Sequence, residues 1–229
     1  MIRPYQVLAT DYDGTLAHHG TVSPETLAAI GRLRAAGKKL VLVTGRELEE
    51  LKQVFPEIGV CDLVVAENGA VLYWPQNGQV KELGEPAPAE FAERLRARGV
   101  PVAVGRVIVA TVEPHESVVL QTIKEMGLEL EVIFNKGAVM VLPTGINKAT
   151  GLREGLARLG LSTRQVIGVG DAENDHAFLR ICGVGIAVAN ALPTLKTRAD
   201  FITQKPHSEG VAELIDQLLA NNFQPASTG

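Results

Sequence analysis

Only two cysteines, Cys61 and Cys182, occur in 229 residues. That is too few for a disulfide framework or a cysteine metal cluster, and both read as buried thiols in a reducing compartment. Aromatic residues make up 4% of the chain, which argues against surfaces that stack on bases. Positive charge is not in excess: 22 Lys and Arg stand against 26 Asp and Glu, for a net charge of -4, so there is no basic footprint for nucleic acid. No apolar run spans a bilayer, and "MIRPYQVLATDYD" offers no apolar stretch of signal-peptide length before its charges begin. No internal repeat stands out, although the tail "NNFQPASTG" is polar and is expected to fray. The expected protein is cytoplasmic, without nucleic-acid or membrane partners, and is taken to be a monomer or a homodimer. Its length suits one large domain or a main domain with a small insert.

Strand-like and helix-like segments alternate through the first seventy or so residues. Val7, Leu8 and Ala9 end a buried strand. Ser23 caps a helix with Pro24 at its first position, Leu27, Ile30 and Leu33 on its apolar face and Gly37 as its stop. "KLVLVTGR" is a second strand, a helix from about Glu47 to Phe55 ends at Pro56, and "DLVVAENGA" is a third strand. Apolar strands separated by helices predict a parallel sheet covered on both faces. The pattern then changes. "AVLYWPQNGQVKEL" alternates about Asn77-Gly78, a hairpin signal. From Pro88 to Leu142 the order is helix, two strands, helix, two strands, with "NKG" at 135–137 turning the last hairpin. The α/β rhythm returns after Gly145, with a helix from about Lys148, the strand "QVIGVG", a helix through Phe178, the strands "VGIAVAN" and "DFIT", and a last helix over 209–219. The expected fold is therefore α/β: a Rossmann-like parallel core from 1–83 and 144–229, with an α+β domain of 84–143 inserted after the third core strand. In such sheets ligands bind beyond the carboxyl ends of the strands, where Asp11, Thr44 and Asp171 fall.

The run "LATDYDGTLA" ends in two aspartates one residue apart. If the chain is still extended there, Asp11 and Asp13 face one space and repel, so a cation, donors or a shared proton must offset them. Read alone, "DYDGT" is as much a surface Asp-Gly turn as a site. A nucleophile with a proton carrier two residues on also fits, one carboxylate charged and the other protonated. Asp171 and Asp175 in "GVGDAENDHAF" are spaced to reach one hard cation, or to form an acidic helix start. Mg²⁺ keeps several waters, so Asp11 and Asp171 with a backbone carbonyl near Asp13 suffice for it. Thr44 offers a hydroxyl, and the Gly45 amide can approach an anion at a helix start. Lys148 begins a helix, where the dipole disfavours a cation unless it neutralises something anionic. Arg106, at the start of an insert strand, and Arg46 and Asn68, at core strand ends, are candidate substrate contacts. His18, His19 and His176 read as solvated loop and helix residues.

Four signatures stand in order: Asp11-x-Asp13-Gly14-Thr15, Thr44-Gly45-Arg46, Lys148, and Gly170-Asp171-x-x-Asn174-Asp175. The set resembles the haloacid dehalogenase superfamily. "ENGA" at 67–70, "VANA" at 188–191 and "EGVAELI" at 209–215 resemble its Cof-like, sugar-phosphatase branch. The resemblance implies Asp11 as nucleophile, Asp13 as general acid and base, and Thr44 and Lys148 on the phosphoryl oxygens. It also implies Mg²⁺ held by Asp11, the Asp13 carbonyl, Asp171 and Asp175, and a contact from Asn174 near the phosphate. Asp13 favours a phosphatase or a mutase over a dehalogenase, and the insert is similar to a minimal type-two cap. The resemblance thus points to a Mg²⁺-dependent phosphatase of a small phosphorylated metabolite, phosphoglycolate or a sugar phosphate. A phosphomutase of the phosphomannomutase type and a non-catalytic phosphate sensor are the alternatives.

Overall fold

The structure is a computed structural model that describes residues 5–223. The first strand, β1 (Val7–Thr10), is buried along its whole length and lies at the centre of an eight-stranded sheet. After it come α1 (Pro24–Ala35), β2 (Lys39–Val43), α2 (Leu48–Val54), β3 (Leu63–Ala66), β4 (Val71–Trp74) and β5 (Gln79–Glu82). The insert supplies α3 (Ala89–Ala97), β6 (Ala103–Val104), β7 (Val109–Val112), α4 (Glu116–Met126), β8 (Leu130–Asn135) and β9 (Ala138–Pro143). The chain then completes the first sheet with α5 (Lys148–Arg158), β10 (Val166–Gly170), α6 (His176–Ile181), β11 (Val184–Ala187), α7 (Pro193–Lys196), β12 (Phe201–Ile202) and α8 (His207–Asn221).

The main sheet runs β12-β11-β10-β1-β2-β3-β4-β5. Its first six strands are parallel, and the hairpin β4–β5 extends the same sheet antiparallel. The order reverses at β1, which has β2 on one side and β10 on the other; that switch point is where an open α/β sheet leaves a crevice beyond its strand ends. Ser23 Oγ accepts from the Thr26 amide at 3.2 Å and Pro24 opens α1, as the sequence predicts. The polar tail is less free than expected, since Phe223 is buried with its ring edge-on to Phe201; residues 224–229 lie outside the described part. Among the described residues, no helix is long and apolar enough to cross a membrane.

The insert forms its own antiparallel sheet, β6-β7-β9-β8. Side chains alternate across it, as strand geometry demands. Val109, Val139 and Val141 pack with Phe91 and Leu95 of α3 and Val119 of α4, while Ala110, Ile133, Met140 and Leu142 join the core of the main sheet. The first insert strand is only two residues long, so Arg106 does not begin a strand; it lies in the loop between β6 and β7. Glu67 explains why. Its buried carboxylate accepts from the amides of Arg106, Val107 and Ile108 at 3.0, 2.8 and 3.0 Å, leaving none of the three for a strand partner. Replacing Glu67 by Ala strips these amides of their acceptor and is expected to lower stability by roughly 3 kcal/mol. Urea denaturation tests this; a loss under about 1 kcal/mol would show that water serves these amides as well.

Candidate active site

Extended chain does not carry Asp11 and Asp13 to a common face, because β1 stops at Thr10. The chain turns instead: the Leu16 amide returns to the Asp11 carbonyl at 3.2 Å and the Ala17 amide to the Tyr12 carbonyl at 2.8 Å. Tyr12 is buried against Phe55. Gly14 answers why the run turns where it does. Its φ of +84° suits glycine, and a Cβ there would lie 2.3 Å from Asp171 Oδ2. The Gly14 carbonyl is then pinned by Asn190 Nδ2 at 2.8 Å and by His207 Nδ1 at 2.9 Å. A carbonyl only accepts, so the His207 proton sits on Nδ1.

Asp11 is 5% exposed, and its Oδ1 accepts from Lys148 Nζ at 2.6 Å. The same ammonium donates to Asp175 Oδ1, also at 2.6 Å. Lys148 is therefore no solvated lysine. It is 1% exposed at the first position of α5, and the anions that make that place tolerable are these two carboxylates. Asp175 Oδ2 accepts from the amides of Asp171 and Ala172, so both its oxygens are engaged within the protein. Asp171 accepts from the Thr15 hydroxyl at 3.3 Å and from Lys136 Nζ at 2.6 Å. Asp11, Asp171 and Asp175 each present a carboxylate oxygen within 4.8 Å of the others, a set suited to a hard cation. Burial, with Asp175 and Asp171 beside it, pushes Asp11 up to about 8 against the pull of Lys148. Burial raises Asp171 as well, opposed by Lys136. Three carboxylates share two ammonium groups, which leaves room for further positive charge.

Thr44 follows β2 and is buried; its Oγ1 accepts from the Arg46 amide at 3.1 Å. Gly45 is not at a helix start, because α2 begins only at Leu48; the chain from 44 to 47 first makes a turn. A Cβ on Gly45 would lie 3.3 Å from Met140 Sδ and 3.6 Å from Asn174 Nδ2, which places the glycine between the insert sheet and the turn after β10. The turn after β3 holds this loop from beneath. Glu67 and Asn68 both have positive φ, 50° and 53°, and their amides bond the Arg46 and Thr44 carbonyls, each at 2.9 Å. Such strained residues cluster where a site must be held. Asn68 Oδ1 accepts from Asn174 Nδ2 at 3.0 Å, while Asn174 Oδ1 is buried without a protein partner.

Arg46 grips Asp13 with two parallel bonds, Nε to Oδ2 at 2.6 Å and Nη2 to Oδ1 at 2.8 Å, and also donates to Glu50. Its place is behind Asp13. Arg106 points to Glu49 and Glu82 at 3.3 and 3.5 Å and is bonded to none of the carboxylates of the cluster. The ring of His18 stacks on that of His207 at 4.2 Å and lies tilted against that of His19 at 4.1 Å. His176 borders a separate cavity of about 370 Å³ lined also by Leu179, Arg180, Cys182 and Arg198.

Three contributors are not among the sequence candidates. Glu67 lies inside "ENGA", where only the strand end was legible. Thr15 and Lys136 bond the two oxygens of Asp171, and Lys136 comes from the far end of the insert. Its signal was there: the turn "NKG" has lysine where such turns favour asparagine or glycine.

The sequence model of haloacid dehalogenase-like hydrolases matches residues 8–90 and 103–215. A phosphoglycolate phosphatase of Methanothermobacter thermautotrophicus is 31% identical over 221 residues, covering 93% of this chain and 99% of the relative. Phosphoglycolate phosphatase 2 of Saccharolobus solfataricus is 31% identical over 224 residues, covering 95% and 94%. Among solved structures, a Thermoplasma acidophilum protein superposes with a TM-score of 0.80 at 16% identity, covering 95% of this chain and 99% of that one. A HAD subclass IIB sugar phosphatase superposes with a TM-score of 0.77 at 21% identity, covering 93% and 98%. The two structural likenesses bear on the fold alone, and with the sheet order above they bear out the expected α/β class.

Proposed function

Because the chain belongs to the haloacid dehalogenase-like hydrolases, we propose that it hydrolyses the phosphomonoester of a small metabolite, of the phosphoglycolate or sugar-phosphate type. The observation that carries this reading is the buried cluster itself. A carboxylate at the end of a central strand is held by a buried lysine at 2.6 Å and flanked by two further aspartates.

In this reading Asp11 Oδ2 attacks phosphorus and the bond to the ester oxygen breaks, leaving an aspartyl-phosphate. Asp13 gives the departing oxygen its proton, and then takes one from the water that attacks phosphorus as the bond to Asp11 Oδ2 breaks, releasing phosphate and restoring Asp11. Arg46 clamps both Asp13 oxygens in this structure, so one of its two bonds opens when Asp13 takes up the proton that it delivers. Thr44 and Lys148 hold the phosphoryl oxygens, and Asn174 supplies a further polar contact. Positioning and charge stabilisation are what phosphoryl transfer asks of a protein. Asp11, Asp171 and the Asp13 carbonyl are suited to hold Mg²⁺, with Asp175 fixing Lys148 and the 171–172 backbone. When bound, that ion would favour the charged form of Asp11 and offset charge on the phosphoryl group. In this reading residues 84–143 are a cap over the core, and its closure would exclude water. A cytoplasmic place and a monomer or homodimer remain part of the reading.

Phosphate release from a panel of phosphomonoesters tests it, run with Mg²⁺, with EDTA, and with Asp11→Asn as the blank. Turnover on at least one small ester, stopped by EDTA and restored by Mg²⁺, is the expected result. Turnover indifferent to chelation would remove the metal role from Asp171, and release equal to the blank across the panel would overturn the phosphatase reading.

A further inference from the structure

Among the described residues, two cations pair with the buried carboxylate cluster: Lys148 from the core and Lys136 from the insert. Lys148 is fully buried, whereas the Lys136 side chain is 43% exposed and reaches Asp171 from the solvent side. The backbone under Lys136 is unusual. It takes the first central position of a two-residue hairpin turn, with Asn135 paired to Ala138 and φ of +47° at Lys136 and +83° at Gly137. That conformation favours Asn, Asp or Gly, and a long side chain is disfavoured there. A lysine at such a turn tip, directed at an active site, is strain kept for a purpose. The turn is also docked: the Lys136 amide lies 3.4 Å from Glu173 Oε2, beside the turn that carries Asp171 and Asp175.

The rest of the insert face above the core is largely apolar. Met140 lies over Gly45, and Ile133, Ala110 and Leu142 pack into the core cluster. The other basic residues of the insert are committed or placed elsewhere. Arg94 and Arg98 bond glutamates at the surface, Arg96 on α3 donates to the Val102 carbonyl, Arg106 bonds Glu49 and Glu82, and Lys124 rides on α4, across the sheet. A leaving group facing this surface meets apolar contact and one ammonium.

We infer that Lys136 is the specificity-determining residue of the cap, binding an anionic group on the leaving-group side of the substrate, and that the substrate is a phosphomonoester whose alcohol portion bears a carboxylate. This rests on the phosphatase reading above. Asp171 is the anion that Lys136 holds in this structure. A divalent cation at the aspartates would neutralise Asp171 and release the ammonium to the substrate's carboxylate, where a charge-assisted hydrogen bond sets selectivity.

The test compares wild type, Lys136→Asn and Lys136→Arg on 2-phosphoglycolate and on an ester of similar size with an uncharged alcohol portion, such as ethyl phosphate. Lys136→Asn suits the turn better than lysine does, so it removes the charge without endangering the hairpin. Its kcat/KM on phosphoglycolate should fall roughly thirty- to hundredfold, with less than about a threefold change on ethyl phosphate, while Lys136→Arg keeps most of the selectivity. A second readout needs no turnover: Mn²⁺ titration followed by electron paramagnetic resonance should show Lys136→Asn binding the ion at least as tightly as wild type. Equal losses on both esters, no loss on phosphoglycolate, or weaker Mn²⁺ binding would each overturn the inference while leaving the phosphatase reading in place. A wild-type protein inactive on both esters and on the whole panel would instead overturn that reading, and this inference with it.

Discussion

Asp11→Asn is expected to remain folded and to release phosphate more slowly than wild type by a factor on the order of 10⁴ or more. The amide has nearly the shape of the carboxyl group and can still accept from Lys148 through its oxygen, so the packing around it is kept. What it lacks is the anionic oxygen that forms the bond to phosphorus. A pH-dependent readout accompanies the loss. In metal-free wild type the folded Asp11 holds its proton to about 8, while the unfolded carboxyl releases it in the ordinary range. The unfolded state therefore binds fewer protons between those values, and stability falls as pH rises through the interval. Lys148, raised by Asp11 and Asp175 in spite of its burial, stays charged throughout. Asp11→Asn removes this part of the slope and leaves a smaller one from Asp171, whose carboxyl is also raised. Thermal unfolding in EDTA at about pH 5 and about pH 8 should then show wild type losing more than the variant. Equal losses would mean that Asp11 is ionised in the folded state across the range, and near-wild-type phosphate release would remove it as nucleophile.

The parts of the site legible in the sequence are those fixed by local pattern. Asp11, Thr44 and Asp171 stand directly after apolar runs, so their place at the carboxyl ends of parallel strands follows from period and polarity. Lys148 was legible through an electrostatic oddity, a cation at a helix start, and the structure supplies the anions that the oddity requires. What stayed hidden depends on contacts between distant segments. Nothing within "DYDGT" says that Arg46 will clasp Asp13, and nothing in "ENGA" says that Glu67 will feed three amides some forty residues on. For Gly45, "TGR" before an acidic, leucine-bearing segment reads as an immediate helix start, whereas the chain turns for three residues first. The β-branched residues after Arg106 predict a strand from that position; the buried carboxylate of Glu67 outcompetes ladder formation there.

Lys148→Met should give the largest loss of stability of any change in the cluster, roughly 3–5 kcal/mol, because it leaves buried carboxylates without their partner. Methionine fills much of the volume of the lysine stem, so the loss is electrostatic rather than a cavity effect. Two carboxylates are deprived at once, Asp11 and Asp175, and they do not respond alike. Below about pH 8 Asp11 can meet the change by keeping its proton, so the deficit there falls mainly on Asp175. Above that value wild type ionises Asp11 beside Lys148, and the variant must do so without a counter-charge, so the deficit grows with pH. The coupling has a further consequence. Asp11→Asn relieves a buried carboxyl group that has lost its counter-charge, so the stability gained from it should be larger in the Lys148→Met background than in wild type, the non-additivity of residues in direct contact. Urea denaturation of the four proteins in EDTA at about pH 8 measures the cycle. If Asp11→Asn changes stability by the same amount in both backgrounds, the two residues contribute independently, and Lys148 then owes its burial to Asp175 and not to Asp11.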